Sequence, residues 1–307
     1  MKESFHICFT SHDEVLFRDE QDHGVFVNLM ALRALASEAE ILADAEMSTH
    51  FHGCVFTENP VSFASALRMS YTKYFNAKYG RKGRMGEKYT FWQKIDGFYH
   101  LMTVQSYTLR NGLHHGAAPT AFGYPYCSVR EMFAKDIGFS TENPAPLSRD
   151  QIAAFRPRYS EFPDHWRMNS SGVFLRRDFM ELRRAEQYYG TPRNYLYQMN
   201  RLTDDSWKEE QLKDNTGTPI TLSAIERADE KTVAQMLNNE YGRNFNPSRL
   251  QDLDVCRLID QEFLPSYGVP SVYFLTESQK LRIGRQLRAE FHLPEHQIRR
   301  CLASAFA

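Results

Sequence analysis

In the segment MSTHFHGCVF, residues 47–56, two histidines flank a single phenylalanine. A strand repeats its faces every two residues, so His50 and His52 would stand side by side on one face while Phe51 enters the other. Two neutral imidazoles so placed can grip one divalent cation. Further on, Tyr107 precedes Asn111 by four residues, which on a helix sets them one turn apart on a shared face with Val104 and His100. An amide oxygen from Asn111 could complete the ligand set and leave positions open for water and a phosphate oxygen, the coordination that Mg²⁺ or Mn²⁺ prefers. A tyrosine hydroxyl beside such an ion can act as a nucleophile. Each feature also has an ordinary reading. A His-x-His triplet arises by chance, a tyrosine on an apolar helix is a core residue with a polar tip, and an asparagine near a helix end is a cap. Cys54 would share the histidine face, but a hard, oxygen-preferring cation disfavours a thiolate. His114 and His115 fit a solvated turn after the helix.

The elements that must hold these groups follow from periodicity. Residues 5–10 alternate as a first strand, and 28–42 carry Leu29, Leu32, Leu35 and Ala36 at helical spacing. Residues 41–56 return as one or two strands, closed by Glu58, Asn59 and Pro60. A helix is expected over 61–79, stopped by Gly80, and another over 97–111, stopped by Gly112. The order fits an α+β fold, a small antiparallel sheet with helices packed on it. Between the two helices lies a basic, aromatic tract. Over 68–94 the cations Arg68, Lys73, Lys78, Arg81, Lys82, Arg84, Lys88 and Lys94 face one acid, Glu87, and Tyr71, Tyr74, Phe75, Tyr79, Tyr89, Phe91 and Trp92 are interleaved. Cations that track phosphates and rings that stack on unpaired bases are what a single-stranded nucleic acid requires.

The run over 47–128 resembles the single-tyrosine HUH transposases, and particularly the REP-associated tyrosine transposases. Met47, Ser48, Thr49, His50, Phe51 and His52 stand where that family has Met, Pro, Asn, His, a hydrophobic residue and His. SYTKYFNAKYGRKGRMG matches its tyrosine-rich basic tract, and Trp92 with Gln93 its Trp-Gln pair. YTLRNGLHHG followed by GYPYCS keeps the order of its third signature. Ser48, Thr49 and Gly112 depart from the pattern, as does a longer spacer before Trp92. The resemblance covers roughly the first 135 residues. It implies an HUH endonuclease fold of ferredoxin or RRM type, with Tyr107 as the catalytic nucleophile and His50, His52 and Asn111 as ligands of Mg²⁺ or Mn²⁺. It further implies cleavage and rejoining of single-stranded or hairpin DNA through a 5′-phosphotyrosine. Two rivals remain: a DNA-binding regulatory protein that keeps the fold without cutting, and a small-molecule hydrolase, which leaves Tyr107 and the basic tract without a role.

The whole chain of 307 residues has a formal net charge of −1, so any polyanion site must come from local clustering. Its five cysteines are scattered without a CxxC pair, which favours reduced thiols and a cytoplasmic protein. There is no secretory leader or membrane-spanning run, so no membrane partner is expected, and the protein would be a monomer or homodimer. The expected organisation is an endonuclease domain over 1–135, a linker or extended arm over 136–165 where Pro, Ser and Asn gather, and a mainly helical DNA-binding region over 166–307. A capping box at Thr276 and Gln279 and an apolar stripe of Ile298, Cys301 and Leu302 suggest a helix-turn-helix near 276–303. Its outward side would carry His296, Gln297, Arg299 and Arg300, with Arg285 on the first helix as a further DNA contact.

Overall fold

The computed structural model describes residues 1–11, 13–86, 90–138, 144, 146–156, 158, 161–201 and 249–304. The first elements run β1 (Glu3–Thr10), α1 (Glu20–Ser37), β2 (Glu40–Met47), β3 (His50–Thr57), α2 (Pro60–Tyr79) and β4 (Phe91–Lys94). The strands form one antiparallel sheet in the order β2-β3-β1-β4. This is the ferredoxin-like strand-helix-strand-strand-helix-strand arrangement. The expected α+β class is thus what the chain adopts. Phe5, Ile7 and Phe9 of β1 are buried with Phe26 of α1 and Phe63, Tyr71 and Phe75 of α2, so both helices cover one sheet face. A later helix, α3 (Gly97–His114), packs against β2 and β3 and carries Tyr107 to the histidine side of the sheet.

Local chemistry explains where these elements begin and end. α2 starts at Asn59, whose side chain accepts from the Ser62 N–H, with Pro60 in the first turn, and it stops at Gly80, φ 67°. α1 begins well before the expected residue 28, because Asp19 caps it and Glu20 and Asp22 favour its first turn. It ends at Ser37 rather than 42, where Glu38 turns left-handed and its N–H closes on Ala34 and Leu35. β4 was not expected. Its four side chains are exposed, so no alternation marks it, and only pairing with β1 reveals it. Gly112 does not end α3, which continues to His114. A Cβ at Gly112 would sit 2.4 Å from the Tyr124 Cβ, so close approach of the following loop explains the glycine.

The described part of 136–165 includes α4 (Arg149–Phe155), and Leu147, Ile152 and Phe162 bury with Trp166, Phe174 and Ala31 of α1. Then come α5 (Arg176–Phe179), α6 (Leu182–Tyr189) and α7 (Pro192–Arg201). Arg176 reaches back to the sheet, where its guanidinium contacts the buried Asp44 at 3.0 Å and Glu46 at 2.7 Å. The carboxy-terminal helices are α8 (Asp252–Leu258), α9 (Leu264–Tyr267), α10 (Glu277–Phe291) and α11 (Glu295–Leu302), and α10 opens with the expected Thr276–Gln279 capping box. Their core includes Val15 from the β1–α1 connection. From the same connection the fully buried Arg18 donates to the Cys301 carbonyl at 2.8 Å and to Asp260 at 2.7 Å. No helix among the described residues is long and apolar enough to cross a membrane.

Candidate functional site

The register of β1 against β3 places Cys8 opposite His52 and Thr10 opposite His50. Side chains paired in this way share a face, so His6, Cys8, His50, His52 and Cys54 all look toward α3. Phe51 enters the other face and packs against Phe26 and Phe9, with ring centroids 4.9 and 5.3 Å away. Across the gap, Asn111 donates from Nδ2 to the Tyr107 carbonyl at 2.8 Å, which leaves Oδ1 for the sheet. His50 Nε2 lies 3.3 Å from that oxygen, and His50 Nδ1 lies 3.1 Å from the Thr49 hydroxyl. His52 Nδ1 lies 3.0 Å from His6 Nε2. The Tyr107 ring stands edge-on to His52 at 5.2 Å and to His6 at 6.2 Å.

Burial decides the protonation states. It lowers the pKa of His50, against an opposing effect from the Asn111 hydrogen bond. It lowers that of His52 further, helped by the neighbouring His50, His6 and His115. His6 is held at about 4 by burial and then by His100. Desolvation, with His50, His114 and Arg300, also draws His115 down to about 4. These rings are therefore neutral near pH 7, the form in which imidazole binds a cation. Burial, and then Cys8, raises the Tyr107 phenol above its ordinary value, so it is protonated at rest. Cys54 is pushed up to about 12 by burial, which makes it a poor thiolate ligand.

The His50–Asn111 pair has a spacing that fits a shared cation. Two adjacent ligands about 2.1 Å from an octahedral ion are roughly 3 Å apart, close to the His50–Asn111 separation. With Oδ1 as the acceptor, the proton on His50 Nε2 donates to Asn111, and Nδ1 accepts from Thr49. Moving that proton to Nδ1 reverses the Thr49 bond and bares the Nε2 lone pair. Among the described residues no three His, Cys, Asp or Glu side chains form a metal-holding group, so the set depends on the Asn111 oxygen.

The basic tract is divided by the fold. α2 lies across the sheet from Tyr107. There Tyr71, Phe75 and Tyr79 are core residues that present no face to a base, and the half-buried Tyr74 bonds Asp22 through its hydroxyl. Lys78 is committed to Asp19 and Asp22 at 2.7 and 2.8 Å, and Arg81 pairs with Glu14. Lys73, Lys82 and Arg84 are exposed, and burial, then the nearby Arg84, lowers the pKa of the partly buried Arg68. Phe91 and Trp92 are the exposed rings, on β4, while Lys88 and Tyr89 lie outside the described residues. The loop after α2 returns toward the site, because Gly86 lies against the backbone of Thr10, the partner of His50.

The carboxy-terminal helix pair also differs from the expected presentation. Arg285 is exposed and Arg299 partly so, but Gln297 is buried and donates to the Leu250 carbonyl at 2.9 Å. Arg300 is paired with Asp252 at 2.6 Å. α11 thus turns Gln297 and Arg300 inward, where they help line a cavity of about 810 Å³ beside His50 with His115, Tyr126 and Asp252. The hydroxyl of Ser48, in the β2–β3 turn, donates to Asp252 at 2.6 Å and ties that wall to the histidine strand.

Two residues against the histidine pair were not read as part of the site. His6 had a signal, since it alternates with Ile7 in β1, but its pairing partner is set by register. Thr49 stood in the motif only as a departure from a family pattern. No protein-family model matches the chain, and no curated protein matches it. Among solved structures it is similar to a REP-associated tyrosine transposase bound to a REP hairpin, with a TM-score of 0.38 and 13% identity over 55% of this chain and 93% of that one. At that level of overlap the likeness carries no argument about chemistry.

Proposed function

We propose that this chain is a metal-dependent single-strand DNA endonuclease and strand transferase in which Tyr107 is the nucleophile. One observation carries the reading: His50 Nε2 and Asn111 Oδ1 converge to 3.3 Å, with His52 beside them and the Tyr107 ring edge-on at 5.2 Å. His50, His52 and Asn111 would hold Mg²⁺ or Mn²⁺, which when bound neutralises charge on a phosphate and favours the phenolate. The rest falls to the protein. α3 fixes Tyr107 and Asn111 one turn apart, so the nucleophile and the phosphate-orienting site cannot drift independently. The Tyr107 oxygen attacks phosphorus, the bond to the 3′ oxygen breaks, and that oxygen leaves as a hydroxyl while the phosphate remains on the tyrosine. The phosphotyrosine is an ester like the bond it replaced, so a second 3′-hydroxyl can reverse the step and join strands. Lys82 and Arg84, with Lys73, Arg68 and Trp92 further round, supply phosphate and base contacts, and Arg285 and Arg299 offer others.

The test uses a hairpin oligonucleotide labelled at its 3′ end, with Mg²⁺. The native chain should carry the label through denaturing electrophoresis. Tyr107→Phe removes one oxygen and should bind the hairpin equally well with no adduct, a loss of more than about 10³-fold in cleavage. An adduct on another tyrosine overturns the assignment. Tight binding by the native chain with no cleavage would favour the non-cutting DNA-binding reading.

A further inference from the structure

The histidine pair is asymmetric in how its rings are held. His50 meets Thr49, a hydroxyl that can donate or accept and so permits either tautomer. His52 meets the side chain of His6, with 3.0 Å between Nδ1 of the one and Nε2 of the other and the two ring planes within 13° of each other. Neutral imidazole has one donor nitrogen and one acceptor nitrogen, so this contact holds a single proton and couples the two tautomers. If it resides on His52 Nδ1, then His52 Nε2 carries a lone pair. If it resides on His6 Nε2, then His52 Nε2 keeps its own proton and cannot ligate.

We propose that His6 is a positioning residue for the metal site: its Nε2 accepts the Nδ1 proton of His52, orients that ring, and presents the His52 Nε2 lone pair toward Asn111 and Tyr107. The inference rests on the metal-dependent reading above. Other surroundings of His6 fit the role. Its ring stands edge-on to Phe91 at 5.8 Å and to Tyr107 at 6.2 Å, so aromatic walls fix its plane. Its backbone is held in β1 by pairing to both β3 and β4, which fixes its Cα beside the histidine strand. Outer partners of this kind fix the tautomer and raise the basicity of a ligating histidine, and their loss commonly costs 10- to 100-fold in metal affinity.

The experiment uses the full chain and Mn²⁺ alone, followed by electron paramagnetic resonance titration, with nitrogen chemical shifts of the histidine rings recorded before metal is added. Three variants are compared: His6→Phe keeps the ring packing without an acceptor, His6→Gln restores an acceptor oxygen at similar reach, and His52→Ala removes the ligand. The native chain should show His52 protonated at Nδ1. His6→Phe should lose that preference and weaken Mn²⁺ binding at least tenfold, His6→Gln should recover most of it, and the thermal midpoint of all three should show a folded chain. A merely structural role for His6 would make Phe and Gln equivalent in Mn²⁺ affinity, which overturns the proposal. So does native His52 protonated at Nε2. If the native chain and His52→Ala bind Mn²⁺ equally, the metal reading itself fails; unchanged affinity in His6→Phe alone sinks only the role of His6.

Discussion

A buried, neutral histidine makes a folded protein sensitive to acid, and this site gathers several. The His6 pKa is lowered from 6.5 to about 4, so the folded chain resists a proton that the unfolded chain accepts. The sign follows from linkage: stability is full above about pH 6.5 and is lost as pH falls from there toward 4. For His6 alone the loss is about 3 kcal/mol, and His50, His52 and His115 shift in the same direction. Urea denaturation of the metal-free chain across pH 7 to 4 should show a falling midpoint. His6→Gln, which has no ring to protonate, should flatten that slope by about the same amount; an unchanged slope would show that His6 is not held neutral. Cation binding should fail over the same window, because protons and metal compete for the same lone pairs.

At the scale of elements, α3 is the one on which the proposed chemistry depends, and its packing leaves little slack. Gly112 follows Asn111 directly and rests on the Tyr124 ring, whose hydroxyl donates to the Glu46 carbonyl at 2.7 Å. Gly112→Ala should therefore push α3 or the Tyr124 loop outward and cost about 1–3 kcal/mol, as overpacking does. Cleavage should fall by more than the stability loss explains, because Asn111 moves with its neighbour; thermal denaturation beside a cleavage assay checks both. The sequence made the faces of β1 and β3 legible, since Phe5, Ile7, Phe9 and Phe51 alternate with the histidines. It showed α2 and α10 through their caps. β2 was harder to read because Asp44 and Glu46 are buried in it, and the charge that satisfies them, Arg176, comes from a distant helix. The ion pairs at Lys78 and Arg81 in the basic tract were not legible for a related reason. Periodicity sorts residues by face but does not say which acids, such as Asp19, Asp22 and Glu14, will fold back on the cations.

On the scale of the molecule, the cations left exposed would set how the proposed DNA binding responds to salt. Each phosphate contact on a single strand contributes about 0.7 to the slope of log K against log salt. Replacing Lys73, Lys82 and Arg84 together by Ala should reduce that slope by about 2 while leaving the Mn²⁺ site intact. The same change at Lys78 and Arg81 should instead act mainly on stability, and filter binding over a salt series tells the two apart. One link between the carboxy-terminal helices and the β1–α1 connection is Arg18, whose side chain is fully buried. Arg18→Ala leaves Asp260 and the Cys301 carbonyl without their donor and should cost about 3–5 kcal/mol. One cooperative transition, shifted as a whole, is expected in denaturant. Two separated transitions would show that the carboxy-terminal unit melts on its own.

The hydrogen bond from Ser48 to Asp252, with Arg300 on the same carboxylate, also has a meaning in the order of synthesis. The turn that leads into the histidine strand is made 204 residues ahead of the wall it is tied to. A nascent chain can therefore pair β1 with β3 and assemble its imidazoles long before the cavity beside His50 has its far side. Residues 249–300 close that side, so in its final shape the cleft forms only once the chain has been made as far as Arg300.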